Sequence, residues 1–158
     1  MRWLQTKNLA EDLLTETFIK TLHQKLFGQV WKWAGTFRKT EKYIGIDPIQ
    51  IPTQVQLLLD DTRFWIEHQI YPPQEIAIRF HHHLVYLHPF PNGNGRHARI
   101  MADTMMTEIF RLKPFDWSGG QSLQAMNDRR KRYIAALRLA DKGNYKALLD
   151  WVGIGLSV

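Results

Sequence analysis

Between His88 and Arg99 the chain carries an imidazole, a turn in which Gly93 and Gly95 flank Asn94, and two arginines, Arg96 and Arg99. Glycine accepts positive φ and lets a ligand approach the backbone, and asparagine is the non-glycine residue best able to share such a turn. A turn of this kind can aim several N–H groups at one anion. The residues that follow, Arg96 to Phe110, have helical character, so the turn lies at the positive end of a helix dipole, where unpaired amides favour phosphate. Arg96 and Arg99 are three residues apart, roughly one helical turn, and project from one side toward the same anion. A polyphosphate would be held at both ends.

The elements around this run are helical. Gln74–Leu87 places Ile76, Phe80, Leu84 and Leu87 at helical spacing. A phosphate loop of the Walker type needs a preceding strand and a Gly-Lys-Ser/Thr ending, and a dinucleotide fingerprint needs a strand and GxGxxG; this run has neither. The plain alternative stays open here: Gly-Asn-Gly ends one helix and starts the next, with two exposed arginines. Phe18, Leu22, Leu26, Val30 and Trp31 predict a first helix, and Val55, Leu58, Leu59, Thr62, Trp65 and Ile66 a second. Pro114 is expected to end the signature helix. Ser118-Gly119-Gly120 predicts a loop, followed by helices from about Gln121 to Ala140 and from Tyr145 to Trp151. Only Gly35 to Pro52 breaks the pattern: Thr36, Phe37, Thr40, Tyr43, Ile44 and Ile46 favour extended backbone, with Gly45 and Pro48 as punctuation. At roughly 18 residues this connector is longer than usual, and long ordered loops often carry function. It is expected to form a small hairpin.

The 158 residues, 44% hydrophobic, suffice for one buried core, and no composition shift marks a second domain. One domain over 1–158 is therefore expected. The absence of cysteine excludes a disulfide framework and thiolate metal sites and fits a reducing compartment. The first residues, Met1 to Asn8, lack a hydrophobic signal core, and no apolar run approaches the ~20 residues of a membrane span; a cytoplasmic location without membrane attachment is expected. The 21 Lys+Arg against 15 Asp+Glu leave a net charge of +6, which bears on association rather than fold. Asp128-Arg129-Arg130-Lys131-Arg132 fans around its helix and is read as a solvated face. With no stacked-aromatic platform or reading-helix motif, nucleic acid is not the expected partner.

The signature run resembles that of the Fic family, His-x-Phe-x-(Asp/Glu)-Gly-Asn-Gly-Arg-x-x-Arg, matched at His88, Phe90, Gly93, Asn94, Gly95, Arg96 and Arg99. Asn92 stands where most members carry an acid. Trp31-Lys32-Trp33-Ala34-Gly35-Thr36-Phe37-Arg38, Tyr71-Pro72-Pro73 and Arg79-Phe80-His81-His82 are similar to the subgroup called mobile mystery protein B. The resemblance spans about Leu13 to Leu149. It implies an all-α fold, a Fic-type helical bundle with its core at about 13–149, a β-hairpin flap at about 36–50 over the active site, and the signature loop and helix at 88–110. It implies a protein adenylyltransferase that moves AMP from ATP to a Ser, Thr or Tyr hydroxyl. An unperturbed imidazole, pKa about 6.5, accepts a proton at neutral pH, so His88 is the candidate base. Amides of Gly93, Asn94 and Gly95 would hold the α- and β-phosphates, Arg96 the leaving pyrophosphate and Arg99 the γ-phosphate. Asn92 would be the Mg²⁺ ligand, as a neutral amide that lacks a carboxylate's charge. Lys42, Tyr43, Ile44 and Gly45 in the flap would dock the target protein by strand addition.

Asn92 keeps alternatives in view: a Fic-like transferase or hydrolase using another nucleotide or phosphate-bearing donor, or a weakly active nucleotide-binding module. Many relatives also carry an inhibitory helix, Ser/Thr-x-x-x-Glu-(Gly/Asn). Here Thr104 and Glu108 have that spacing, but Ile109 follows and the pair falls inside the signature helix, so a restraint is expected from a segment or partner protein absent from this chain. Successive helical side chains point about 100° apart, so His81, His82 and His83 cannot share a facial metal site and are read as packing residues. Phe90 is expected to anchor the signature loop, and Trp31, Trp33 and Trp65 to lie in the core.

Overall fold

The computed structural model describes residues 13–41, 44–117 and 126–152. Six α-helices carry the described chain: α1 Glu16–Phe27, α2 Ile51–Glu67, α3 Pro73–Leu87, α4 Asn94–Thr104, α5 Met126–Asp141 and α6 Lys146–Trp151. The start of the helix expected from Gln121, and the Ser118-Gly119-Gly120 loop, lie outside the described residues. No helix among the described residues is long and apolar enough to cross a membrane.

Helix α3 is the axis of the fold. It buries Ile76, Ala77, Ile78, Phe80, His81, His82, Leu84 and Leu87, too many directions for a one-faced surface helix, and it packs against α2, α4, α5 and α6. Its two buried imidazoles reach polar partners. His81 Nε2 meets the Tyr133 hydroxyl at 2.7 Å. His82 donates through Nε2–H to Asp141 Oδ1 at 2.6 Å and accepts at Nδ1 from the Tyr145 hydroxyl at 2.9 Å, because the carboxylate can only accept. These bonds tie α3 to α5 and to the turn before α6.

Helix α1 starts at Thr15, whose hydroxyl oxygen accepts the Phe18 N–H at 3.0 Å. It ends earlier than its apolar pattern suggests. Gly28 caps it, and successive turns carry the chain through Val30 and Trp31 to Gly35 at φ +82°. Val30 is consequently 69% exposed. Trp31 and Trp33 are half-buried and stack on each other at 4.6 Å rather than entering the core.

The signature helix also differs from its expected span. It begins two residues sooner, at Asn94, and passes into a π-helical turn over Met105–Ile109, closed by Phe110 N–H on the Met105 carbonyl at 3.1 Å. Arg111 at φ 56° ends it, so the stop precedes Pro114. In the connector, residues 36–41 and 44–47 run as turns and irregular backbone without a strand, and a 3-10 turn at Pro48–Gln50 leads into α2. The Asp47 carboxylate accepts the Ile49 N–H there at 3.0 Å.

Candidate active site

His88 terminates α3 in the left-handed conformation, φ 52° and ψ 59°, its N–H shared between the Leu84 and Val85 carbonyls at 3.2 Å each. Glycine is the usual residue at such a helix end, and a β-carbon there costs about 1–2 kcal/mol. His88 is half-buried there, at the end of the helix and beside the connector. Gly45, at φ +92°, lies against it: a β-carbon on Gly45 would stand 2.6 Å from His88 Cβ. Ile44 beside it is 61% exposed. Lys42 and Tyr43 lie outside the described residues.

The loop after His88 is held from below. Phe90 is fully buried and stacks on His23, ring centroids 3.8 Å apart at 15°. The His23 tautomer follows from its partners. Gly35 N–H donates to Nδ1 at 2.9 Å, so Nδ1 is bare and Nε2–H donates to the Asn92 carbonyl at 2.9 Å. Burial lowers the His23 pKa, against the raising effect of the Asn92 bond, and keeps this ring neutral. Asn94 is buried, and both ends of its amide engage the Phe90 backbone, so what it offers a ligand comes from its own main chain. Gly93 takes φ +79°, and a β-carbon there would strike the Phe27 ring at 2.6 Å.

Above the loop the geometry opens. Gly93 caps α4, and among the described residues no side chain bonds that first turn, which leaves it the unpaired amides of a helix start. Among the described residues outside its own helix backbone, a β-carbon on Gly95 would meet Arg99 Nη1 alone, at 3.7 Å. Arg96 is exposed and lies over the Phe27 ring at 5.7 Å. Arg99 is half-buried and borders a 570 Å³ cavity lined by Trp117, Arg130, Tyr133, Ile134 and Trp151. Burial pushes the Tyr133 phenol up, offset in part by the Arg99 charge. Arg130, Lys131 and Arg132 are all exposed, as a solvated face requires, and Arg130 also lines this cavity.

Asn92 is exposed, and its Oδ1 accepts the Gly93 N–H at 2.8 Å. An amide oxygen has a second lone pair, so Asn92 fits Mg²⁺ as one neutral ligand, the others being phosphate and water oxygens. Glu108 Oε2 lies 3.9 Å from Arg111 Nη1, in the π-helical turn. His97, a variable position of the signature, is fully buried with Nε2 on the Ile19 carbonyl at 2.9 Å.

Sequence reading missed His23, the buried cation Arg38 and the inward role of the Asn94 side chain. His23 and Arg38 bond to backbone some 69 and 50 positions away, a separation at which neither periodicity nor local spacing carries a signal. The Asn94 to Phe90 spacing of four was visible, but its direction was not.

A sequence model of the Fic/DOC family matches residues 13–106. The chain belongs to the Fic/DOC family. Its similarity to the protein adenylyltransferase Fic of Drosophila melanogaster is 25% identity over 156 residues, covering 96% of this chain and 30% of that protein. To the Aedes aegypti protein of the same name it is 23% identical over 145 residues, covering 89% of this chain and 27% of the other. The chain thus spans less than a third of the length of these curated relatives. Among solved structures, Fic-1 of C. elegans superposes with a TM-score of 0.75 at 25% identity, over 96% of this chain and 44% of that one. A Fic domain containing signaling protein of Bacteroides thetaiotaomicron gives 0.71 at 20% identity, over 94% and 60%. The helical fold is a Fic fold.

Proposed function

We propose that this chain is a protein adenylyltransferase that transfers AMP from ATP to a Ser, Thr or Tyr hydroxyl of a target protein, with its helices acting as a single domain. The observation that carries the reading is the open face of Gly95, where Arg99 Nη1 is the one atom among the described residues, outside the helix's own backbone, within 4 Å of an added β-carbon, at a helix start uncapped by any described side chain. An anion has room there, and His88 faces the segment where a hydroxyl would arrive. The names of the Drosophila and Aedes relatives support the same chemistry.

In this reading His88 accepts the proton of the target hydroxyl as its oxygen attacks the α-phosphorus in line. The bond from that phosphorus to the bridging oxygen breaks, and pyrophosphate leaves with the electron pair. Amides of Gly93, Asn94 and Gly95 hold the α- and β-phosphates, Arg96 steadies the leaving group and Arg99 orients the γ-phosphate. Mg²⁺, when bound to the phosphates and Asn92, supplies charge neutralisation. The target docks along residues 36–50, at Lys42, Tyr43, Ile44 and Gly45, its backbone completing a hairpin flap that the exposure of Ile44 leaves room for. An inhibitory segment or partner protein would act by placing an acid on Arg99. The lack of cysteine supports a cytoplasmic setting.

One observation favours a second reading, a weakly active nucleotide-binding module or a different phosphate-bearing donor: the Asn92 oxygen is uncharged and already accepts a backbone N–H. Incubation with α-labelled ATP, Mg²⁺ and a cell lysate separates the two. Wild type and Asn92→Asp are expected to label protein and His88→Ala is not; no labelled band with either active-site form would overturn AMP transfer.

A further inference from the structure

We propose that Arg38 is the positioning residue for His88, a single side chain that holds the base in its left-handed conformation and fastens the connector over it. The proposal rests on His88 being the base of the reaction above. Arg38 is 3% exposed, and its charge is met by carbonyls. Nε–H donates to the His88 carbonyl, Nη2 to Ile46 and to Leu87 at 3.3 Å, and Nη1 to Thr40 at 3.1 Å. Its own N–H donates to the Pro89 carbonyl at 2.9 Å, and Ile46 N–H joins the Leu87 carbonyl at 3.4 Å. Three consecutive carbonyls, Leu87, His88 and Pro89, are thus all taken by one residue.

Those carbonyls are the last of α3 and the first beyond it, the group that a helix C-terminus leaves unpaired and that carries its negative partial charge. A buried cation there is stabilised by the helix end, and it compensates the unfavourable φ of His88 by bonding both peptides that flank that residue. The same guanidinium binds Thr40 and Ile46, so the connector's two legs and the base share one support. A planar fork with five N–H groups does this; an ammonium is a point charge with three donors and does not match the spread of acceptors. The Arg38 hydrogen bonds go to Thr40, Ile46, Leu87, His88 and Pro89 rather than to the 93–95 turn or Arg99, so its loss should misplace the base while leaving the anion turn intact.

The test is Arg38→Lys in the full chain. In labelled-ATP kinetics kcat is expected to fall roughly 10- to 100-fold with KM for ATP within about threefold. A raised KM with unchanged kcat, or a kcat within about threefold of wild type, overturns the proposal. NMR of selectively labelled His88 reads the same point without activity: its backbone carbon shifts are expected to leave left-handed values in the variant, and unchanged shifts overturn the proposal. If wild type transfers nothing, the reaction assigned above fails, while the NMR result still decides the Arg38 role. If Arg38→Lys does not fold, Arg38→Gln takes its place, because it keeps a planar donor group but cannot span the carbonyls of Thr40, Ile46, Leu87 and His88 at once. Unmoved His88 shifts there overturn the proposal, and displaced ones support it.

Discussion

Asn94 and Phe90 close the signature loop on itself: Asn94 Nδ2 donates to the Phe90 carbonyl at 2.8 Å, and Asn94 Oδ1 accepts the Phe90 N–H at 2.9 Å. The pair is buried, so nothing replaces these bonds when the amide is lost. Asn94→Ala leaves one donor and one acceptor unsatisfied, at about 1–3 kcal/mol each. The expected outcome in urea unfolding is a loss of roughly 2–6 kcal/mol, together with weaker ATP binding because the loop that presents the amides is no longer held. Unchanged stability with reduced ATP affinity would instead place the Asn94 side chain at the phosphate.

Gly93 and Gly95 should separate stability from binding. Gly93→Ala meets both a positive φ and the Phe27 ring at 2.6 Å, and is expected to lower stability by about 1–3 kcal/mol. Gly95 is helical with open space above it, so Gly95→Ala should leave stability equal or raise it by up to about 1 kcal/mol. Its methyl nevertheless occupies the face where an anion would rest. Thermal unfolding and calorimetric titration with ATP on both variants check this; loss of ATP binding is expected in Gly95→Ala without loss of Tm.

His81 and His97 make the fold acid-sensitive. Burial is the main cause that holds each pKa down from 6.5 to about 3, so both rings are neutral in the folded protein and the unfolded chain takes up protons first. Their contribution is complete above the unfolded pKa and is lost as pH falls from about 6.5 toward 3, at roughly 1.4 kcal/mol per pH unit for each ring. Urea unfolding at pH 7, 6 and 5 should show stability dropping with pH. His97→Gln should make that drop shallower; an unaltered slope would mean that His97 is not neutral and buried as described.

His88→Ala should remove transfer without removing nucleotide. General-base catalysis is worth roughly 10²- to 10⁴-fold, and the amides of the turn do not depend on the imidazole. ATP affinity measured by calorimetry is expected to stay within about threefold of wild type while labelling falls by at least 10²-fold. A parallel collapse of ATP affinity would show that His88 serves the turn rather than the reaction.

The sequence by itself determined the family, the order of the helices and the chemical group at each signature position, because these depend on local periodicity and on residue types at fixed spacing. Helix α3 was legible almost to its boundaries for that reason: Ile76, Phe80, Leu84 and Leu87 repeat at its pitch, and it spans Pro73–Leu87. The apolar pattern overextends α1, since Val30 and Trp31 continue it beyond Gly28 while turns redirect the chain. Only tertiary structure decided which way the signature side chains face and what supports them. Asn94 points inward to Phe90, His23 reaches Asn92, and Arg38 spans from the connector to Leu87 and His88. Such contacts join positions far apart in the chain, and they exist because packing around α3 encloses polar groups that must then find partners where water is excluded.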